Sequence, residues 1–352
     1  MAVDSQFWRD RSVFVTGCTG FKGGWLALWL SQLGSRVHGY SLVAPTDPSF
    51  YEAVNLRHRL ESLHIADIRD ILSLELAMSA ALPSVVIHLA AQPLVHQSYE
   101  FPLETFSTNV MGVANVLDVT RRIESVEAVV VVTTDKCYAD RNQQQPYREG
   151  DQLGGSDPYA SSKACAELVS AAYQRSFFEG SGVAVATARA GNVIGGGDWA
   201  NNRLVPDFFR SVEQSKPLLI RHPEAIRPWQ HALEPLAGYL ALAEKLTAEG
   251  HEFAEEWNFG PDESATQTVA WVADYLCQGV KGSEWTQDQG QYPHETKFLS
   301  LNSGKAKSRL QWQPRWSIET ALDMTIAWHQ AQWESERMDE FSLDQISVFE
   351  SA

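Results

Sequence analysis

A chain of 352 residues, 44% hydrophobic, is large enough for two domains, or for one large domain with a lobe attached. A net charge of −16 argues against nucleic acid as a partner, because a phosphate backbone needs a basic surface. The four irregularly spaced cysteines give neither a disulfide framework nor a metal pattern, and no apolar run reaches membrane-spanning length, so the expectation is a soluble cytoplasmic protein with reduced thiols, no metal and no membrane contact.

Ser12 to Thr16 reads as a short apolar strand that opens into Gly17-x-x-Gly20-x-x-Gly23, followed by an apolar run from Trp25 to Leu33 that Gly34 stops. Strand, glycine turn and helix make a dinucleotide-binding unit. The glycines let the backbone approach a pyrophosphate, which then rests on the helix N-terminus at Phe21 and Lys22. Val37 to Leu42 is a second strand, and it lacks the acid usually found after it for the adenosine ribose. Ser41 and Thr46 are the polar candidates there; no arginine precedes Arg57 to meet a 2′-phosphate, so NAD is favoured over NADP. Leu63 to Ile68 is a third strand, whose Asp67 either accepts from the adenine amino group beside Ile68 or caps a helix. Val85 to Gln92 is a fourth, and its end, Leu89-Ala90-Ala91-Gln92, is small enough for a cofactor to lie across; His88 reads as a core histidine. Phe101 to Arg122 reads as one long helix, with Asn109 in its middle expected to bond to a neighbouring strand.

Val129 to Val132 is a run of valines of the kind buried on both faces of a parallel sheet. It leads into Thr133, Thr134, Asp135 and Lys136 at the carboxyl end, the edge where open α/β sheets bind ligands. The polar interval that follows reads as a surface loop. Pro158 and Tyr159 then begin a helix to about Phe178, which puts Tyr159 and Lys163 on one face. Beside a nicotinamide such a pair has a specific use: the ammonium lowers the phenol pKa and bonds the ribose, and the phenolate removes a hydroxyl proton as the same carbon is oxidised. Thr134 supplies a further hydrogen bond to that hydroxyl.

Val183 to Ala190 is the next strand, and the glycine-rich stretch from Gly191 to Trp199 starts a smaller lobe. Within the lobe Arg203, Arg221 and Arg227 supply cations. Leu233 to Ala248 is helical, and Trp257 to Gly260 returns to the sheet as a strand. The reading is therefore α/β: a Rossmann-type doubly wound parallel sheet over 1–190, rejoined by 232–262, with a smaller C-terminal α/β substrate-binding lobe over 191–231 and 263–337. The tail, 338–352, has little pattern.

Gly17/Gly20/Gly23, Asp67-Ile68, His88-Leu-Ala-Ala-Gln92, Asn109, Thr134 and Tyr159/Lys163 together resemble the extended short-chain dehydrogenase/reductase family. Thr134-Asp135 beside the Tyr/Lys pair resembles its nucleotide-sugar 4,6-dehydratases. Thr19-Gly-Phe-Lys-Gly-Gly-Trp25, Thr133-Thr-Asp-Lys-Cys-Tyr138, Asp157-Pro-Tyr-Ala-Ser-Ser-Lys-Ala-Cys-Ala-Glu167, Ala190-Gly-Asn-Val-Ile-Gly-Gly-Gly-Asp-Trp199 and Arg227-Pro-Trp-Gln-His231 resemble their CDP-glucose branch. The resemblance runs from about Phe7 to Trp328. It implies tightly held NAD and CDP-glucose as the small-molecule substrate. It further implies oxidation at C4 with Tyr159 as base, loss of water across C5 and C6 with Asp135 as acid, and reduction at C6. Ser98, Asn192, Arg203, Leu204, Arg221, Arg227, His294 and Glu295 would surround the nucleotide sugar. A homodimer would form through a four-helix bundle of the Phe101–Arg122 and Tyr159–Phe178 helices, with Ala164, Leu168, Ala171 and Ala172 as an apolar face. Where other sugar dehydratases carry a glutamate, this chain has Lys136, as the CDP-glucose branch does. Two roles stay open for it: a neutral amine removing the C5 proton, or a fixed cation stabilising the enolate. The rival readings are a UDP-sugar 4-epimerase, which needs no strand-end acid and base, and a non-catalytic NAD sensor, which needs no intact Tyr/Lys pair.

Overall fold

The computed structural model describes residues 3–141, 145–262, 265–290 and 299–352. Seven strands build its central sheet: β1 (Ser12–Thr16), β2 (Arg36–Ser41), β3 (Ser62–Ile65), β4 (Val85–His88), β5 (Ala128–Val132), β6 (Ala184–Ala190) and β7 (Glu256–Phe259). Their order is β7-β6-β5-β4-β1-β2-β3, and every pairing is parallel. The chain winds outward from β1 to β3, returns to place β4 beside β1, and winds the other way. The strand ends part at this reversal and leave a crevice there.

The longer helices are α1 (Phe21–Gln32), α2 (Ile71–Ala81), α3 (Gly112–Thr120), α4 (Pro158–Tyr173), α5 (Leu204–Glu213), α6 (Leu233–Glu249), α7 (Val269–Gly279), α8 (Ile318–Trp333) and α9 (Met338–Glu350). Both faces of the sheet are covered, so alternate residues of one strand enter different cores. Val130 and Val132 join a core with α1 and α6, while Val129 and Val131 join one with α2, α3 and α4. That is why β5 is valine at nearly every position: no side of it meets water. Each such side chain contributes about 1.5–3 kcal/mol on burial.

Several elements differ from the sequence reading. β3 and β4 end at Ile65 and His88, so Asp67-Ile68 and Leu89–Gln92 lie beyond the strands, at the crevice. The helix expected over 101–122 is three pieces, Pro102–Phe106, a wider π turn at Ser107–Met111, and α3. The interval after β5 is no plain surface loop. Tyr138 and Tyr147 are buried and stacked 4.8 Å apart, and they pack with Cys137, Ala164, Leu299 and Leu301. Counting polar residues missed two aromatic anchors. The tail is also ordered: α9 buries Ile346 and Phe349 and covers α1, where Trp29 Nε1 donates to Glu350 Oε1 at 2.9 Å. Met338, Phe341, Ile346 and Phe349 recur at helical spacing, a period within the stretch that the sequence reading leaves without pattern.

The lobe is built on short pairings, Val193–Ile194 with Gln230–His231, Leu218–Ile220 with Trp285–Gln287, and Ile226–Pro228 with Thr266–Thr268. Phe208, Phe209, Val272, Leu276 and Leu322 fill its core. Among the described residues no helix is long and apolar enough to cross a membrane, and no group of His, Cys, Asp and Glu is placed to hold a metal.

Candidate active site

A cavity of about 850 Å³ runs along the carboxyl ends of the strands, from the glycine turn past β5 and into the lobe. Its first arm has the shape a dinucleotide needs. Gly17 sits at φ +75°, and a Cβ there would lie 2.8 Å from the Ala90 nitrogen. A Cβ on Gly23 would lie 2.1 Å from the Gly17 oxygen, so the turn closes against α1 only without side chains. Gly20 caps α1 without a side-chain bond, which leaves the amides at Phe21 and beyond open to a pyrophosphate. The residues present fit NAD.

At the adenosine end, Ser41 Oγ shares a 2.6 Å hydrogen bond with Thr19 Oγ1. Asp67 is gripped by Arg69, whose Nε lies 2.9 Å from Oδ1 and Nη2 2.5 Å from Oδ2; these bonds hold its carboxyl below the usual range. The cap of α2 is Asp70, which accepts from Ser73 N at 3.1 Å, so Asp67 is not a helix cap. Ile68, Leu89, Ala90, Ala91 and Gln92 line the cavity. Asn109 does not. Its Oδ1 accepts from Gln92 N at 2.8 Å, and its Nδ2 donates to Gln92 O at 3.1 Å and to Ser162 Oγ at 2.8 Å. It bonds the turn after β4 rather than a strand, and it sets where Gln92 and α4 stand.

The centre of the cavity is the end of β5. Thr134 caps the short turn Asp135–Cys137 by accepting from Lys136 N at 3.4 Å, and its Oγ1 donates to Asp135 Oδ1 at 3.0 Å. Asp135 is buried, and its Oδ2 has no partner among the described residues. That oxygen faces Gly191, where a Cβ would come within 2.9 Å. Burial pushes the Asp135 pKa up, while Lys136, Thr134 and Arg227 pull it down. The arrangement favours a protonated acid.

Pro158 opens α4, and Asp157 caps it by accepting from Ala160 N at 2.9 Å. This start places Tyr159 at the cavity. Where the sequence reading has Lys163 lowering the phenol pKa, burial pushes it up to about 12, and the Thr134 hydrogen bond and the Arg203 charge are what oppose the rise. Lys163 donates to Val132 O at 3.2 Å, and burial pushes it down to about 8, against Glu167 and Cys137. Thr133 lines the cavity, but its hydroxyl is spent on Glu167.

Lys22 lines the cavity beside the glycine turn. Its ammonium reaches toward Tyr239 OH at 3.3 Å, and desolvation, Lys163 and Arg203 push it down to about 7. Tyr239 lies inside the long α6, and nothing local in its sequence signals a place beside the site.

In the lobe arm, Asn192, Arg203, Leu204, Arg221 and Arg227 line the same cavity. Arg203 pairs with Asp198 at 3.0 Å, and Arg221 donates to Asn202 O at 3.3 Å. Trp199, Asp207 and His222 also line it and were not singled out from sequence. Ser98 does not line it; it is fully buried and donates to Val95 O at 2.6 Å. His294 and Glu295 lie outside the described residues.

The chain matches the family model of GDP-mannose 4,6 dehydratase over residues 14–325. It is 47% identical to the CDP-glucose 4,6-dehydratase of Salmonella typhimurium, over 99% of both chains. Among solved structures, the dTDP-glucose 4,6-dehydratase of Bacillus anthracis in complex with NAD superposes with a TM-score of 0.75 at 20% identity, over 94% of this chain and 99% of that one. The UDP-glucose 4-epimerase of Thermotoga maritima gives 0.78 at 21% identity, over 91% and 99%. These two likenesses are of fold.

Proposed function

This chain belongs to the GDP-mannose 4,6 dehydratase family, and from that premise we propose that it converts CDP-glucose to CDP-4-dehydro-6-deoxy-D-glucose and water. The observation that carries the reading is the strand-end triplet Thr134-Asp135-Lys136 in one cavity with Tyr159, with Lys163 behind it; the full-length relative at 47% identity supports the cytidine nucleotide. A 4-epimerase has no use for an acid and a base at that edge.

Bound NAD supplies the oxidant for C4 and, once reduced, the reductant for C6, so the cycle is redox-neutral. Tyr159 takes the proton of the sugar 4-hydroxyl, which Thr134 orients, and the Lys163 ammonium offsets the phenolate. The ketone at C4 acidifies the proton at C5. Lys136 removes that proton, and Asp135 gives its own proton to the departing 6-hydroxyl. The ammonium of Lys136 then returns a proton to C5. In an acidic chain, Arg203 and Arg227 are the local cations for the diphosphate.

Incubation of the purified protein with CDP-, UDP-, dTDP- and GDP-linked hexoses tests this directly. The expected result is a product lighter by one water from CDP-glucose, with no net accumulation of reduced cofactor. A product of unchanged mass, or stoichiometric release of reduced cofactor, rejects it.

The same reading extends to a homodimer through the helices at 102–120 and α4. Leu103 is 84% exposed, Leu168 60%, and Met111 54%. Ala164, by contrast, is buried in its own subunit against Tyr138 and Leu301, so the outward face is Leu168 and Ala172 rather than Ala164. Light scattering at micromolar protein is expected to give the dimer mass, and Leu103→Glu with Leu168→Glu the monomer mass. A monomeric parent removes the proposal.

A further inference from the structure

Glu167 lies one turn beyond Lys163 on α4, and no step above uses it. It is 4% exposed, and its carboxylate accepts from Thr133 at the end of β5 and from two residues of β6, Thr187 Oγ1 at 2.7 Å and Arg189 Nη2 at 2.7 Å. The side chains of Arg189 and Glu167 are each 3% exposed. Arg189 Nη1 donates to Tyr138 OH at 2.7 Å, which in turn donates to Asn258 Oδ1 on β7 at 2.7 Å. One carboxylate therefore ties the helix that carries Tyr159 and Lys163 to two strand ends and, through Arg189, to a third strand. Thr133 immediately precedes Thr134, so this tie sets the distance between the strand end and the phenol.

Stability alone is a poor account of the pair. Replacing a buried ion pair by packed apolar side chains is often neutral or stabilising. Its charge has a second consequence. The ionisable groups around Lys163 are Glu167 on its own helix, Cys137 from the turn after β5, Lys22 from α1 and His88 from β4. Burial drives Lys163 down to about 8, and Glu167 is the foremost influence in the other direction.

We propose that Glu167 is a positioning residue for the Tyr159–Lys163 pair, seating α4 on the strand ends through Thr133, Thr187 and Arg189 and setting the charge one turn beyond Lys163. The proposal rests on the reaction above only for what Lys163 then does. The sign follows from the charge. Without the carboxylate, the Lys163 pKa drops further, and the ammonium that supports the Tyr159 phenolate is lost at a lower pH. The variant is Glu167→Gln in the NAD-loaded protein. Its kcat on CDP-glucose, divided by that of the parent, is expected to fall about tenfold between pH ~6 and ~8.5, since each lost proton unit is tenfold in population. Glu167→Asp is expected to recover the parental profile. A ratio independent of pH overturns the proposal.

Should Glu167→Gln fail to fold, the double variant Glu167→Gln/Arg189→Met also removes the buried guanidinium that Glu167 pairs, and the same falling ratio is expected of it. Nitrogen-15 NMR of labelled lysine provides an arm that needs no turnover. The Lys163 titration midpoint is expected to move down in the variant, and an unmoved midpoint overturns the proposal even if CDP-glucose proves not to be the substrate.

Discussion

Lys136→Met is expected to bind NAD, oxidise C4 and stop there, with water loss slowed by about 10²–10⁴-fold, the usual contribution of a positioned proton-transfer group. The lysine sits in the turn Asp135–Cys137, its amide held by Thr134, so the backbone keeps its place when the side chain changes. Methionine matches the length of the stem without an amine. In the parent, deuterium at C5 is expected to exchange with solvent during turnover; in the variant it is expected to stay, while reduced cofactor absorbance builds up. A variant that exchanges C5 deuterium at the parental rate assigns the base elsewhere, and the fixed-cation role for Lys136 takes its place.

Asp135→Asn is expected to give the complementary block. An amide of the same shape fits the buried site beside Gly191 but has no acidic proton for the departing 6-hydroxyl. Water loss is expected to fall by about 10²–10⁴-fold while C5 exchange continues, because the base is untouched. Melting curves of parent and variant separate that loss from unfolding. Burial raises the Asp135 pKa, so the carboxylate contributes stability only while protonated, and the contribution fades as pH rises through the folded value. The parent is therefore expected to lose stability as pH rises through that value, and the asparagine variant is expected to lack that slope. Parental dehydration in Asp135→Asn would move the acid to another group of the cavity, such as Tyr159 or Lys22, each charge-coupled to Asp135.

The parts of the site that sequence revealed are those whose chemistry lies within one element and its exit. The glycine turn announces itself because strand, turn and helix are contiguous, and the φ of Gly17 with the close approach of Gly23 explains why no other residue serves. β5 is legible because burial on both faces demands an unbroken apolar run, and its polar exit follows directly. Tyr159 and Lys163 are legible because helical spacing alone puts them on one face.

The sequence by itself thus determined the doubly wound sheet, the dinucleotide crevice at its reversal and the placing of Thr134, Asp135, Lys136 and Tyr159 at that edge, all set by local periodicity and spacing. Tertiary structure alone decided the rest. Asn109 binds Gln92 and Ser162 instead of lining the cavity, and Lys22 turns toward Tyr239, 217 positions away. The order of α9 depends on Trp29 of α1, and the tie at Glu167 on donors from two strands. A short polar side chain has the same local preferences wherever it stands; its partner, and the loss of water that gives the partnership its strength, come from elements that meet only once the sheet has formed.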